Sequence, residues 1–348
     1  MPNAQAPVYT HGGDVWNHPA ALDFSANLHP LGMPPAVAEA VRTSVEAAVN
    51  YPDPFCADLR RAIAALQGCS PEEVICGAGA ADLIYRLCLA LRPGRALVTA
   101  PTFSEYEQAL RLTDCAVERF PLRAEREFDL TEDFLSALTP GIGLVFLCTP
   151  NNPTGRCIPL PLLAEITARC GAIGARLVVD ECFIALTDRP STAELLAKNP
   201  QLFLLRAFTK TYAIPGLRLG YGLCADTALL SALYGAGPPW AVSSAAQAAG
   251  LAVCACPDWA ERGRAVLRAE RPRLMGGLRA LDLTVWEGEA NYLLLRAGRS
   301  DLRERLLEKN ILIRSCAGCP GLGPDYYRVC VRTHPDNTRL LQAIREVL

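Results

Sequence analysis

The sequence predicts an α/β protein: a large unit built on a mostly parallel sheet, followed by a smaller α+β unit. Three observations carry the prediction. Short apolar runs alternate with helix-period stretches from about residue 57 to residue 250, the pattern of strands joined through covering helices. Those runs are mostly apolar and do not alternate regularly with polar residues, as expected of strands buried on both faces. After "CACPDWAERG" the character changes to a long Arg-rich helical stretch followed by short strand-like runs.

Taken in order, the first 30 residues are rich in Pro, Gly, Asn and His and read as an arm. Residues 31–250 form the large unit. Within it "RALVTAP", "GLVFLCTP", "ARLVVDE", "LFLLRAF" and "LRLGYGL" are expected strands. "LPLLAEITARCGAIG" between two of them is an expected helix, closed by glycine. Residues 251–348 form the smaller unit. There "LTVWEGEANYLLLRA", "ILIRSC" and "YYRVCVR" are strand-like, and "SDLRERLLEKN" is helical.

A chain of 348 residues with 51% hydrophobic and 20% charged residues has enough apolar material for a large core. Its net charge of −2 gives no electrostatic case for nucleic acid or a membrane surface. "MPNAQAPVYTHGGD" has neither a basic nor an apolar leader region. "WAVSSAAQAAGLAVCAC" contains Ser and Gln among small residues, and a buried helix suits it better than a membrane span. The 15 cysteines are odd in number and sit in apolar contexts. Free thiols in a reducing cytoplasm account for them. Cys316 and Cys319 in "CAGC" have metal-ligand spacing but no second pair behind them. No metal site is expected, since a closed zinc site needs four ligands.

Polar residues collect at the carboxyl ends of the expected strands, where open α/β sheets bind ligands. "LVVD" delivers Asp180, "LVFLCTP" leads to Asn151 and Asn152, and "LFLLRAFT" leads to Lys210. Each has an ordinary reading alone, as a cap, a turn or a solvated charge. The conjunction is more specific. The chain has three lysines against 31 arginines, and Lys210 lies between an apolar run and "TYAIPGLRLGY". A lysine amine, a carboxylate on a neighbouring strand and Arg218 eight residues on suit pyridoxal phosphate. That cofactor needs an amine for its aldehyde, an acid for its ring nitrogen, and amides plus a cation for its phosphate. "GAGAAD" (77–82), ahead of a helical run, is a candidate phosphate cradle.

"NNPTG", "VVDECF" and "FTKTYAIPGLRLGY", in this order and spacing, resemble the aminotransferase class of fold-type-I pyridoxal-phosphate enzymes. Within it the chain resembles the threonine-phosphate decarboxylases of cobalamin biosynthesis over nearly its whole length, and the histidinol-phosphate aminotransferases less closely. The likeness rests on "HGGDV", "LDFSANLHPLGMP", "YPDP", "FLCTPNNPTG", "ANYLLLR", "ILIRSCAGCPGL" and "YYRV". The resemblance implies that Lys210 carries the cofactor and Asp180 pairs with its ring nitrogen. It implies that Asn152 bonds the ring hydroxyl and Phe103 stacks on the ring. Thr209, Arg218 and the amides of Ala80 and Ala81 would hold the cofactor phosphate. Tyr51 would reach the phosphate of a second subunit, making a homodimer with shared sites. Arg328 would bind a substrate anion, and His11, Gly12, Asn27, Asn152 and Arg314 would complete the substrate site and its entrance, which the arm joins to the small unit.

Two positions depart from common patterns of that class. Ala207 stands where many relatives have Ser or Thr donating to the cofactor phosphate. Phe183 stands where the histidinol-phosphate aminotransferases have Tyr, and the decarboxylases share the Phe. The resemblance therefore implies decarboxylation of O-phospho-L-threonine to (R)-1-amino-2-propanol O-phosphate. Transamination of histidinol phosphate and decarboxylation of phosphoserine are the alternatives, and a non-catalytic binding protein on the same fold would leave Lys210 without a purpose.

Overall fold

The computed structural model describes residues 11–348. Its strands, in chain order, are β1 (Leu22–Asp23), β2 (Val74–Gly77), β3 (Arg95–Ala100), β4 (Ala116–Pro121), β5 (Leu144–Cys148), β6 (Arg176–Asp180) and β7 (Leu202–Ala207). They continue as β8 (Gly220–Leu223), β9 (Thr284–Val285), β10 (Tyr292–Arg296), β11 (Ile311–Leu312), β12 (Arg314–Ser315) and β13 (Tyr326–Cys330).

Seven strands form the central sheet in the order β2-β8-β7-β6-β5-β3-β4. The pairs from β4 through β7 are parallel. β8 runs antiparallel to both its neighbours. This explains its short sequence link to β7: an antiparallel return needs no crossover helix. The apolar runs are buried on both faces, as their composition requires. Leu144, Phe146 and Cys148 of β5 join Phe203 and Leu205 of β7 in one apolar layer. Val145 and Leu147 join Leu202 and Leu204 in the opposite layer. That is the two-residue period of a strand with helices on each side. The expected helix spans Leu160–Ile173 and ends at Gly174.

The smaller unit is a four-stranded antiparallel sheet, β12-β13-β10-β9, with helices Asp258–Arg279, Leu302–Glu308 and His334–Val347. The run "ILIRSC" is not one strand. It is split into β11 and β12, so that β11 pairs in parallel with β1 and β12 pairs with β13. The pairing of β1 draws Phe24 into the small unit's core, where it is fully buried. Alternation along β13 sets the direction of Arg328. Tyr327 and Val329 point into the small unit's core. Arg328, between them, must face the other way. Its register partner Leu294 belongs to the large unit's core, which fixes this face as the one turned toward the central sheet. No helix among the described residues is long and apolar enough to cross a membrane.

Candidate active site

A cavity of about 230 Å³ lies at the carboxyl ends of β5, β6 and β7, closed from the other side by β12 and β13. Every residue the sequence assigns a cofactor or substrate role, except Tyr51, lines it. Tyr51 is on the outer surface, 81% exposed and packed on Trp240 with ring centroids 4.8 Å apart.

The floor is built by β6. Asp180, its last residue, is buried. Its Oδ2 accepts a 2.6 Å hydrogen bond from Tyr106 Oη, and its Oδ1 accepts one of 2.9 Å from the Cys182 amide. Tyr106 is itself fully buried and stacks on Phe146 of β5. Burial pushes the Asp180 carboxyl above its ordinary value despite both hydrogen bonds. A carboxylate in such a place suits a cationic ring nitrogen, which returns the charge partner that burial removed. The sequence reading missed Tyr106; its one mark there is an aromatic three residues past Phe103. Phe103 lines the cavity and meets Tyr106 edge-on at 5.6 Å.

Lys210 sits in the single helical turn Phe208–Thr211 that follows β7. Burial first, and the Arg328 guanidinium second, bring its ammonium down to about 8. Its amine therefore loses a proton much nearer neutrality than an ordinary lysine does. Beside it, the helix Ala80–Leu91 starts at Gly79, whose φ of 88° is one that glycine adopts without strain. No side chain caps this end, and Ala80 and Ala81 line the cavity there, where the free amides of a helix start suit an anion. Arg218 packs against Gly79, donates to the Pro215 carbonyl at 3.2 Å, and lines the same corner with Thr209. Uncapped amides, a hydroxyl and a guanidinium together fit a phosphate group. Ala207 adds no hydroxyl to that corner.

The asparagines of "NNPTG" divide their work. Asn151 is buried and consumed by the loop: it accepts from Thr102 Oγ1 and donates to the Pro101 carbonyl and Thr154 Oγ1. Asn152 faces the cavity, with its Oδ1 accepting from Arg328 Nη1. Arg328 also donates from Nη2 to the Ser25 carbonyl at 2.7 Å, and its Nε has no hydrogen-bond partner among the described residues. Arg314 is its direct cross-strand neighbour. Two guanidinium groups set opposite each other repel unless an anion lies between or above them. Asn27 adds a buried Oδ1 with no partner among the described residues. Gly12 passes so close to Ser25 that a Cβ there would come within 2.3 Å of its carbonyl oxygen. His11 closes the entrance against Glu105 at 3.0 Å. Phe183 replaces a phenol with a bare ring and meets Tyr292 edge-on at 5.0 Å. The Tyr292 hydroxyl donates instead to the Asn151 carbonyl at 2.9 Å.

The described cavity lining thus holds Lys210, Arg218, Arg314 and Arg328 against a single carboxylate, Asp180. Such a surplus of positive charge suits ligands carrying several negative charges. One corner and the Asp180–Lys210 floor fit pyridoxal phosphate, and the Arg314–Arg328 wall is left over for a second anionic molecule.

Comparison with known proteins agrees with this chemistry. The chain is 41% identical over 331 residues to the threonine-phosphate decarboxylase of Salmonella typhimurium, covering 94% of this chain and 91% of that protein. It is 32% identical to the histidinol-phosphate aminotransferase of Methanothermobacter thermautotrophicus, covering 94% and 89%. The crystal structure of histidinol-phosphate aminotransferase from Clostridium acetobutylicum superposes with a TM-score of 0.87 at 25% identity, covering 94% and 98%. Residues 19–344 match the model of aminotransferase class I and II, and the chain belongs to that family.

Proposed function

We propose that the protein decarboxylates O-phospho-L-threonine to (R)-1-amino-2-propanol O-phosphate and CO2, the amine phosphate serving as the linker of the cobalamin nucleotide loop. The observation that carries this reading is the Arg314–Arg328 pair, set across one cavity from Lys210. It accompanies 41% identity to a threonine-phosphate decarboxylase.

Pyridoxal phosphate, when bound, supplies a ring that accepts the electron pair left on Cα when a bond there breaks. Asp180, held by Tyr106, would keep positive charge on the ring nitrogen. Asn152 would bond the ring hydroxyl, and Phe103 would cover the ring. Thr209, Arg218 and the Ala80 and Ala81 amides would hold the phosphate. Lys210 Nζ would carry the cofactor at rest. Freed by the substrate amine, the Lys210 amine would lie beside Cα and could return a proton there.

The choice of reaction lies in which Cα bond stands perpendicular to the ring. Two arginines on one wall fix two substrate anions, the phosphate and the carboxylate. With both ends held, rotation about Cα is frozen, and remote binding is converted into orientation. Asn27 and His11 complete the pocket around the phosphorylated end. Phe183, in place of a phenol, would leave the ring hydroxyl to be held by Asn152. Tyr51 and Trp240 are exposed aromatics packed on each other at the surface. They support a homodimer in which Tyr51 reaches the neighbouring subunit's cofactor phosphate. The 15 free thiols support a reducing, cytoplasmic setting.

The test is product analysis. Enzyme with pyridoxal phosphate is given phosphothreonine, phosphoserine, or histidinol phosphate plus 2-oxoglutarate. The proposal expects CO2 and amine phosphate from the first, with no oxo-acid required. Glutamate from the third, with no CO2 from the first, would establish transamination instead. A higher kcat/KM for phosphoserine would reassign the substrate.

A further inference from the structure

The mechanism leaves two nucleophiles at the substrate end of the cavity unused. Cys316 and Cys319 both line it. Cys316 is buried and Cys319 half-buried. They sit on one turn, in which the Cys319 amide donates to the Cys316 carbonyl at 2.9 Å. That turn is anchored to β13, because the Cys316 amide donates to the Tyr326 carbonyl at 2.9 Å. It follows directly on Arg314 and Ser315 of β12. The neighbouring Cys316 thiol first, and the charges of Arg314, Arg328 and His11, bring the Cys319 thiol down to about 7 against the opposing effect of burial. Thiolate character and access to a cavity are the two conditions for a reactive cysteine. Among the described residues, no group of three or more His, Cys, Asp or Glu side chains is placed to hold a metal. The molecule supplies its own contrast: Cys56 and Cys76 both lie in the apolar core, where the Cys76 thiol is raised well above its ordinary value.

We propose that Cys316 and Cys319 form a reversible disulfide at the anion-binding wall, and that this modification sets the affinity for the phosphorylated substrate. The oxidant is a low-molecular-weight disulfide. The Cys319 thiolate attacks one of its sulfurs, forming a mixed disulfide as the reagent's S–S bond breaks and one thiolate leaves. Cys316 then attacks the Cys319 sulfur, the protein S–S bond forms, and the second thiolate leaves. The Cys316 proton passes to a departing thiolate. Two electrons move from the cysteine pair to the reagent. In the reduced protein the Cys319 thiolate is an internal anion beside Arg314 and Arg328, competing with a substrate phosphate. The disulfide is neutral, so oxidation frees the positive wall for the substrate. Transient regulatory disulfides of this kind are the type found in reducing compartments.

The inference rests on the proposed phosphate-binding role of Arg314, and its test keeps the two apart. The holoenzyme is equilibrated at pH 8 with dithiothreitol or with oxidised glutathione, then mapped by differential alkylation and mass spectrometry. The expected result is a Cys316–Cys319 bridge in the oxidised sample, with Cys56 and Cys76 still reduced. Inorganic phosphate should slow alkylation of Cys319 in the reduced protein by favouring the neutral thiol. Neither readout needs turnover, so both stand even where phosphothreonine is not a substrate. With phosphothreonine, KM at pH 8 should fall by about threefold or more on oxidation and recover on reduction. Cys316→Ser should keep Cys319 alkylatable while abolishing both the bridge and the redox dependence of KM. Absence of the bridge, a mixed disulfide that never resolves, or a bridge that leaves KM unchanged would overturn the proposal.

Discussion

Asp180→Asn separates what this carboxylate contributes to catalysis from what it costs the fold. Asp180 is buried and held by two donors, Tyr106 Oη at 2.6 Å and the Cys182 amide at 2.9 Å. With cofactor bound, its charge faces the ring nitrogen. Removing one member of a buried charge pair costs about 3–5 kcal/mol. If that cost falls on the chemical step, kcat drops by roughly 10²- to 10⁴-fold. Without cofactor the sign reverses. Burial raises the folded-state value of Asp180 above its unfolded value. The stability tied to its protonated form is therefore fully present below the unfolded value and is lost as pH rises through the folded one. The variant has no such loss, and Tyr106 can turn its hydroxyl to accept from the new amide. Cofactor-free wild type should therefore lose Tm relative to cofactor-free Asp180→Asn as pH rises from about 4. Pyridoxal phosphate should restore the wild type more than the variant. The assays are thermal melts across pH with and without cofactor, beside steady-state kinetics. Near-normal turnover in the variant, or a wild-type Tm that does not fall relative to it with pH, would refute the reasoning.

Lys210→Arg should lose the visible band of the lysine-bound cofactor and nearly all turnover, because a guanidinium does not add to an aldehyde under these conditions. Borohydride reduction followed by tryptic mapping should place the cofactor on the Lys210 peptide; attachment at Lys198 or Lys309 would contradict the assignment. Arg314→Ala should lower kcat/KM for phosphothreonine by roughly 10- to 100-fold, the worth of a hydrogen bond to a charged group, with little change in cofactor absorbance. Arg314→Lys should recover only part of that loss, since the planar two-pronged donor is gone. A hybrid of Tyr51→Phe and Lys210→Ala subunits should carry one intact site and exceed both parents in activity; a hybrid no better than its parents would remove the case for shared sites.

The strands that build the floor were legible because burial on both faces leaves β3, β5, β6 and β7 mostly apolar, without the polar–apolar alternation of a half-exposed strand. Asp180 and Lys210 were legible because polar residues are conspicuous at the ends of such runs. The reversed direction of β8 was not, since a short apolar strand looks the same either way along the chain. Nor was the division of labour between Asn151 and Asn152, which depends on a loop curling back onto Thr102. Fourteen residues separate Arg314 from Arg328, and only the register of β12 on β13 makes them neighbours. Tyr106 was invisible because an aromatic in a short helix reads as core, and its hydroxyl finds Asp180 only through tertiary packing.

The central claim is that the bond broken at Cα is the one to the carboxylate. Turnover of phosphothreonine in deuterium oxide tests it most directly, with mass spectrometry and NMR of the amine phosphate. Decarboxylation predicts that the carbon that was Cα keeps its original hydrogen and gains one solvent deuterium, with one CO2 released per amine formed. Loss of the original hydrogen into solvent, with the carboxylate retained and an oxo acid required for turnover, would contradict the account.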